Sequence, residues 1–367
     1  VALFEQNDIA YGTSSRSSKL IHGGLRYLES YEFSLVFESV SERRVVMDLA
    51  PHLVNPLAFL FPVYQGARKS LRMISAGMWL YDGLALFRSP KRHQTLKASE
   101  VANEEPLLKQ EGLHGAPVYY DCSTDDARLT LETIIDAIRN GGVAVNWARV
   151  DALTKNEQGR VSGVIIKNQR DGSLREVKAH AVINATGPWT DDVLAMSGPR
   201  KGKLLRPTKG IHIVVERENL PVEHAVVLFH PTDKRVLFAL PWGERTYVGT
   251  TDTDYEGAAG EEAATLEDVD YLIAAANHYF PTKQIAREHV VRPGTRRVDH
   301  GMRLYLAMAP VPLVLDDAAG NPALLVLGER VAARPVDHDS AVSNRVDDGF
   351  ERESRIVGGA VVVDRRA

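Results

Sequence analysis

"GTSSRSSKLIHGGLRYLE", residues 12–29, decides how the rest of the chain is read. Ser14, Ser15, Ser17 and Ser18 come first, then Lys19, then His22, Gly23, Gly24 and Arg26. A helix interior does not suit such a run of hydroxyls, because their side chains compete for the backbone. A plain surface loop does not need two glycines wedged between His22 and Arg26. Small hydroxyls and successive backbone amides can line a pyrophosphate and the polar edge of a planar ring. Gly23 and Gly24 allow the backbone to come close to such a ring. Arg26 offers a planar fork for a phosphate or a carboxylate. The competing account is a capped helix start with scattered charges.

The whole chain narrows the setting. With 367 residues it is long enough for two domains, and 44% hydrophobic with 25% charged residues is a globular composition. A formal charge of −4 gives no support for nucleic-acid binding, so any anion site must be local. Cys122 is the only cysteine, which excludes a disulfide framework and a cysteine-rich metal site and fits a reducing compartment. No signal peptide is visible. No apolar run reaches the roughly 20 residues of a membrane span. "MISAGMWLYDGLALF", residues 73–87, comes nearest. It is flanked by Arg68, Lys69 and Arg72 on one side and Arg88, Lys91 and Arg92 on the other. Such a segment either lies in a membrane interface or is a buried helix with charged ends.

Local patterns suggest an α/β fold. "VALFEQ" has the character of a buried strand ending at Glu5. Phe33, Val36, Phe37, Val40, Val45 and Leu49 recur near the helical period, which predicts a helix from about Tyr31 to Leu49. "TDDARLTLETIIDAIRNGG" predicts another, capped by Thr124 or Asp125 and ended by Gly141-Gly142. A meander of strands follows, leading to a buried strand over Ala181 to Asn184. More strands come after it ("GIHIVVER", "AVVLFH", "RVLFALPW", "TYVGTTD"), then a helix in "LEDVDYLIAAANHYF". The implied architecture is a Rossmann-like nucleotide domain with an antiparallel-rich, mixed-sheet second domain.

Four further stretches carry chemistry. Glu5, at the end of an early strand, can accept hydrogen bonds from both hydroxyls of an adenosine ribose, as acids do in dinucleotide folds; otherwise it is a surface acid. "NATGPW", Asn184 to Trp189, ends a strand in a sharp turn stiffened by Pro188. "PTKGIHIVV" sets Lys209 and His212 three apart, and a lone histidine is often structural. "GTTDTDY" puts Thr250, Thr251 and Asp252 at a strand end.

In this order these words resemble the FAD-dependent glycerol-3-phosphate dehydrogenases, in the flavoprotein superfamily similar to D-amino-acid oxidase. The matching words are "TSSRSSKLIHGGLRYLE", "DLAPHL", "YYDCSTDDARL", "NATGPW", "TKGIHIVV" and "LPWGERTYVGTTDTDY", covering roughly residues 1–285. The resemblance implies an FAD-binding Rossmann-like domain over 1–45 and 121–205, joined by part of 320–330. It implies a substrate or cap domain over 46–120 and 206–319, with 331–367 an atypical C-terminal segment. Glu5 then looks like the ribose-binding acid. Ser14, Ser15, Ser17, Ser18 and Lys19 look like the lining of the pyrophosphate and flavin. His22, Gly23 and Gly24 would run beside the isoalloxazine, Val150 would meet the adenine through its backbone, and Ala185, Thr186 and Gly187 would pass near the cofactor. Arg26, Tyr27, His212 and Thr251 look like the substrate pocket, with Arg26 on the phosphate and His212 as base or orienting donor. The implied reaction oxidises sn-glycerol 3-phosphate to dihydroxyacetone phosphate and passes electrons through FAD to a quinone. The implied setting is cytoplasmic, peripheral on the inner face of the plasma membrane through residues 68–92.

The departures are specific. A glycine-rich G-x-G-x-x-G turn belongs before Glu5 and does not occur in these 367 residues. "VVRPGTRR", with Arg292, stands where a second substrate arginine is expected. "ERVAARP" follows "LLVLG" where the family has a lysine word reaching the substrate. A helical C-terminal domain does not follow. A shifted reading frame after about residue 285 would produce such a break. From these departures the chain is expected to bind FAD poorly and to show little or no activity. The alternatives are a non-catalytic flavoprotein fragment, or another FAD-dependent oxidoreductase of amines or 2-hydroxy acids, since Arg26 suits a carboxylate equally well.

Overall fold

The computed structural model describes residues 1–86 and 89–291, together with the backbones of strands at 306–309, 324–326 and 360–364. The chain enters through β1 (Ala2–Glu5), whose four residues are all buried. A 3-10 turn at Thr13–Ser15 leads to β2 (Leu20–Ile21), and a second at Leu25–Ser30 leads to α1 (Phe33–Leu49). The expected helix begins two residues later than its periodicity suggests, because Tyr31 sits at φ +60°, outside helical space. Only Val36, Val40 and Arg43 of α1 are buried. Phe33, Phe37, Val45 and Leu49 share the apolar period but are 40–77% exposed. The buried face of α1 is a narrow stripe, and a charged residue sits on it.

After α1 come β3 (Val54–Leu60), β4 (Val63–Tyr64), α2 (Leu71–Leu84), β5 (Gln94–Lys97), α3 (Ala98–Glu104) and β6 (Leu113–Thr124). Then α4 (Asp126–Arg139) is capped by Asp125, which accepts from the Arg128 amide at 3.1 Å. The meander is β7 (Val143–Val145), β8 (Ala148–Lys155), β9 (Val161–Asn168) and β10 (Leu174–Lys178), followed by β11 (Ala181–Ala185) and α5 (Thr190–Ala195). The later strands are β12 (Thr208–Glu216), β13 (Ala225–Phe229), β14 (Val236–Trp242), β15 (Arg245–Gly249) and β16 (Thr253–Asp254). α6 (Leu266–Tyr279) follows, then β17 (Leu306–Ala309), β18 (Leu324–Val326) and β19 (Ala360–Asp364).

Among the described residues these strands form three sheets. The first has the order β18-β11-β19-β1-β7. β1 runs parallel to β7 and β11 parallel to β18, while β19 lies antiparallel between β1 and β11. The second is the antiparallel meander β10-β9-β8, packed on the first through Ala2, Phe4, Val150, Val164 and Val182. The third is eleven-stranded and mixed, running β16-β12-β15-β14-β13-β3-β6-β2, with β17 on β12 and β4 and β5 on β6.

The large sheet is covered on both faces. Ile211, Ile213, Leu228 and Leu237 pack with Leu272 and Phe280 at α6. The alternate residues Val214, Val227 and Leu240 join Val36 and Val40 of α1 and Met78 and Tyr81 of α2. Strand side chains alternate faces, so His212 shares the parity of Val214 and points to the α1 and α2 side. The fold is therefore mixed α/β, as the sequence suggests.

Candidate functional site

The 12–29 stretch meets β12 where Ser18 approaches His212. Ser18 Oγ lies 2.9 Å from His212 Nε2, although the two are 194 residues apart. His212 is 1% exposed, and its Nδ1 has no hydrogen-bond partner among the described residues. Burial, helped by the positive charge of Lys19, pulls the His212 pKa down to about 4. The ring is therefore neutral at pH 7. Thr251 is held beside it: its Oγ1 accepts from the Ile211 amide at 2.9 Å, and its own amide donates to Ile211 O at 3.3 Å. Gly249 faces the ring so closely that a Cβ there would lie 2.6 Å from His212 Cδ2.

Lys19 and Ser17 turn away from this contact toward α4. Lys19 Nζ meets Asp126 Oδ1 at 2.6 Å with both side chains nearly buried, and Ser17 Oγ donates to Asp126 Oδ2 at 2.7 Å. The same ammonium stands 5.7 Å from the Trp242 ring centre. Lys209 is likewise occupied, by Asp268 of α6 at 2.9 Å. Ser14 and Ser15 form the 3-10 turn just before this group. His22 and Arg26 are exposed, Gly23 and Gly24 buried, and the Arg26 guanidinium lies 5.4 Å from the ring centre of the half-buried Tyr27.

A second group forms at the β1 end. Glu5 is 5% exposed, so it is not a surface acid. Burial pushes its carboxyl up to about 7, against the opposing hydrogen bond from the Asn7 amide at 2.9 Å. Its neighbours Phe4 and Gln6 line a cavity of about 480 Å³ with Val150, Asp151, Thr186 and Trp189. Asn184 shapes the turn on that wall. Its Oδ1 accepts from the Thr186 hydroxyl at 2.7 Å, and its Nδ2 donates to Thr190 O at 3.1 Å. Ala185 is buried behind the turn, and Gly187 follows at φ +55°, a conformation that suits glycine. Val150 and Thr186 thus share one cavity with the strand that carries Glu5.

Three residues escaped the sequence reading. Arg43, Asp121 and Tyr81 form a buried polar knot beside Gly23, each no more than 2% exposed. A polar residue on the buried stripe of α1 was the available signal. Arg292 and the "ERVAARP" word lie outside the described residues. Among the described residues, no helix is long and apolar enough to cross a membrane. α2 buries Met78, Tyr81 and Asp82 and exposes Met73, Trp79 and Leu80.

With both groups located, comparison with known proteins gives the class. The family of FAD dependent oxidoreductases matches residues 1–314, and the chain belongs to that family. Within it, the chain is 40% identical over 290 residues to the aerobic glycerol-3-phosphate dehydrogenase of Staphylococcus epidermidis, covering 79% of this chain and 52% of that protein. The Staphylococcus aureus enzyme of the same name is 39% identical over the same shares. The chain thus spans about half the length of the curated relatives it matches. Its fold is similar to the glycerol-3-phosphate dehydrogenase of Bacillus halodurans complexed with FAD. There the TM-score is 0.65 and the identity 34%, over 79% of this chain and 50% of that one. The L-alpha-glycerophosphate oxidase of Mycoplasma pneumoniae shares the fold at 15% identity and a TM-score of 0.60, over 85% of this chain and 77% of that one.

Proposed function

We propose that this chain carries the FAD and substrate sites of a glycerol-3-phosphate dehydrogenase, oxidising sn-glycerol 3-phosphate to dihydroxyacetone phosphate. The observation that carries this reading is the Ser18–His212 contact, which joins the most distinctive word of the sequence to a buried, neutral base. The names of the relatives support the substrate.

The residues fit FAD at its adenosine end. The cavity beside Phe4, Val150 and Thr186 offers space, and buried Glu5 is an acceptor that ribose hydroxyls would satisfy. Bound FAD supplies the acceptor for the two electrons lost from C2 of the substrate. His212 takes the proton of the C2 hydroxyl, and Ser18 orients its ring. Burial keeps it neutral at pH 7, and a substrate phosphate would raise its pKa. Arg26, exposed on the loop, binds that phosphate through charge-assisted hydrogen bonds. Thr251 fixes the β12 backbone next to the histidine. The cofactor half takes in 1–45 and 121–205, and the substrate half 46–120 and 206–319.

A quinone would take up the electrons, and the exposed face of α2 would bring the protein to the membrane. Met73, Trp79 and Leu80 are the apolar part of that face, and Arg68 and Arg72 are near cations. A test of the function uses the chain saturated with FAD under anaerobic conditions. Glycerol 3-phosphate should bleach the flavin absorbance, while amino acids and 2-hydroxy acids should not. Bleaching by those acids instead would overturn the substrate assignment, and a flavin that no substrate bleaches would favour a non-catalytic flavoprotein.

A further inference from the structure

At one point of the 12–29 loop the backbone is held from three elements at once. Asp121 of β6 accepts at a single oxygen, Oδ1, from the Gly23 amide at 3.1 Å, from the Tyr81 hydroxyl of α2 at 2.8 Å, and from Arg43 of α1. Arg43 also donates to Tyr120 O at 3.1 Å and to Ser89 Oγ at 2.9 Å. A buried ion pair is a poor way to stabilise a core, because desolvation offsets most of the attraction and apolar residues of similar size do as well. What it supplies here is direction. The Gly23 backbone is pressed so hard against the wall that a Cβ would lie 2.2 Å from both Tyr81 Oη and Val40 Cγ1. Gly24, at φ +65°, then turns the chain outward, and its carbonyl accepts from the Tyr27 amide at 2.8 Å. The Gly24 amide donates to His22 Nδ1 at 3.1 Å, which places that ring's proton on Nε2 when it is neutral.

We infer that Arg43, Asp121 and Tyr81 are a positioning cluster that fixes the Gly23-Gly24 backbone and thereby sets where Arg26 is presented to substrate. This rests on the reading of Arg26 as the phosphate ligand. None of the three cluster residues needs to touch substrate. Burial and the charge of Asp121 hold the Tyr81 phenol well above its ordinary pKa, so it remains a donor to the carboxylate at all working pH values. The cluster works as a fixed anchor.

Two variants of the full chain test it. Tyr81→Phe removes the hydroxyl's bonds with Asp121 and Arg43 and keeps the ring. Arg43→Met with Asp121→Leu replaces the whole ion pair by apolar side chains, so that no charge is left buried alone. Hydrogen exchange at the Gly23 amide, read by mass spectrometry on the peptide spanning the loop, is measured beside steady-state kinetics with glycerol 3-phosphate. The expected result is exchange at Gly23 at least roughly tenfold faster in the double variant, with protection elsewhere retained. KM is expected to rise about tenfold while kcat changes far less, because a displaced Arg26 weakens ground and transition states together. Unchanged exchange in both variants overturns the anchor. Faster exchange with an unchanged KM overturns its role in presenting Arg26. If the parent chain bleaches no flavin with glycerol 3-phosphate while Gly23 exchange still responds, the anchor stands and the substrate reading falls.

Discussion

Glu5 and His212 sit in different sheets and are buried to nearly the same degree, yet burial moves their titrations in opposite directions. Glu5, at the end of β1, is pushed up to about 7, and His212, on β12, is pulled down to about 4. The rule is the same in both places, since a buried site disfavours whichever form is charged. The consequence differs with the chemistry of each site. The β1 sheet keeps a carboxyl half-protonated near neutral pH, where donor groups of a ligand would complete its ionisation. The β12 sheet keeps an imidazole neutral, where it can take a proton. On the proposed reading, a ligand would complete the first site and the second would carry the reaction.

The largest expected effect separates the halves most sharply. His212→Asn should lower kcat by about 100- to 10,000-fold, the range for loss of a general base, and leave FAD affinity almost unchanged. Stopped-flow reduction of the FAD-loaded chain checks this, and equal losses in both quantities would place the histidine on the cofactor side. Stability should divide in the same way. His212 contributes fully above pH 6.5 and loses that contribution as pH falls from 6.5 to about 4, a swing of roughly 3 kcal/mol. Glu5 has its folded pKa raised, so its contribution is full below pH 4.5 and is lost as pH rises from 4.5 to about 7. Urea melts of His212→Gln and Glu5→Gln across that range should therefore change slope in opposite senses.

Arg26→Lys keeps a charge and loses the fork. It should reduce kcat/KM for glycerol 3-phosphate by an amount worth about 1.5–3 kcal/mol, with a much smaller change in flavin binding; unaltered kinetics would remove Arg26 from the phosphate. On the outer surface, Arg68→Gln with Arg72→Gln should weaken sedimentation with anionic liposomes by roughly 2 kcal/mol, at about 1 per charge. Lys69 is left alone because it already pairs with Glu29 at 2.7 Å. The smallest effect belongs to the cofactor half. Ribose hydroxyls that favour ionised Glu5 make FAD binding release a proton, so affinity should rise roughly tenfold from pH 6 to pH 8. A flat profile in fluorescence titrations would detach Glu5 from the ligand.

What could be read in the sequence was local. The cap at Asp125, the strand ending at Glu5 and the meander all follow from neighbours a few residues apart, which pattern rules capture. The unusual residue types of 12–29 marked that stretch as a candidate site, and Val150 and Thr186 do line one cavity. The pairings were not legible. Nothing in "SSK" says that Ser17 and Lys19 turn to Asp126 while Ser18 turns to His212, since register and sheet closure decide it. Arg43 was hidden for the same reason. It occupies the buried stripe of α1, where the apolar period alone would have favoured Phe37 or Val45, and only the approach of Asp121 makes a charge tolerable there.

Trp189 gives the cavity an optical reporter. Its indole donates to Ala259 O at 3.1 Å and lies against Gly12 and Gly260, whose missing side chains leave room for it. Of the four tryptophans it alone lines the cavity, and Trp79, 58% exposed, already emits from water. Filling that space changes the surroundings of one indole and leaves the exposed one as an internal standard. Emission recorded at two wavelengths would then follow occupancy of the β1 half without a label, and separately from any colour change at the reacting end.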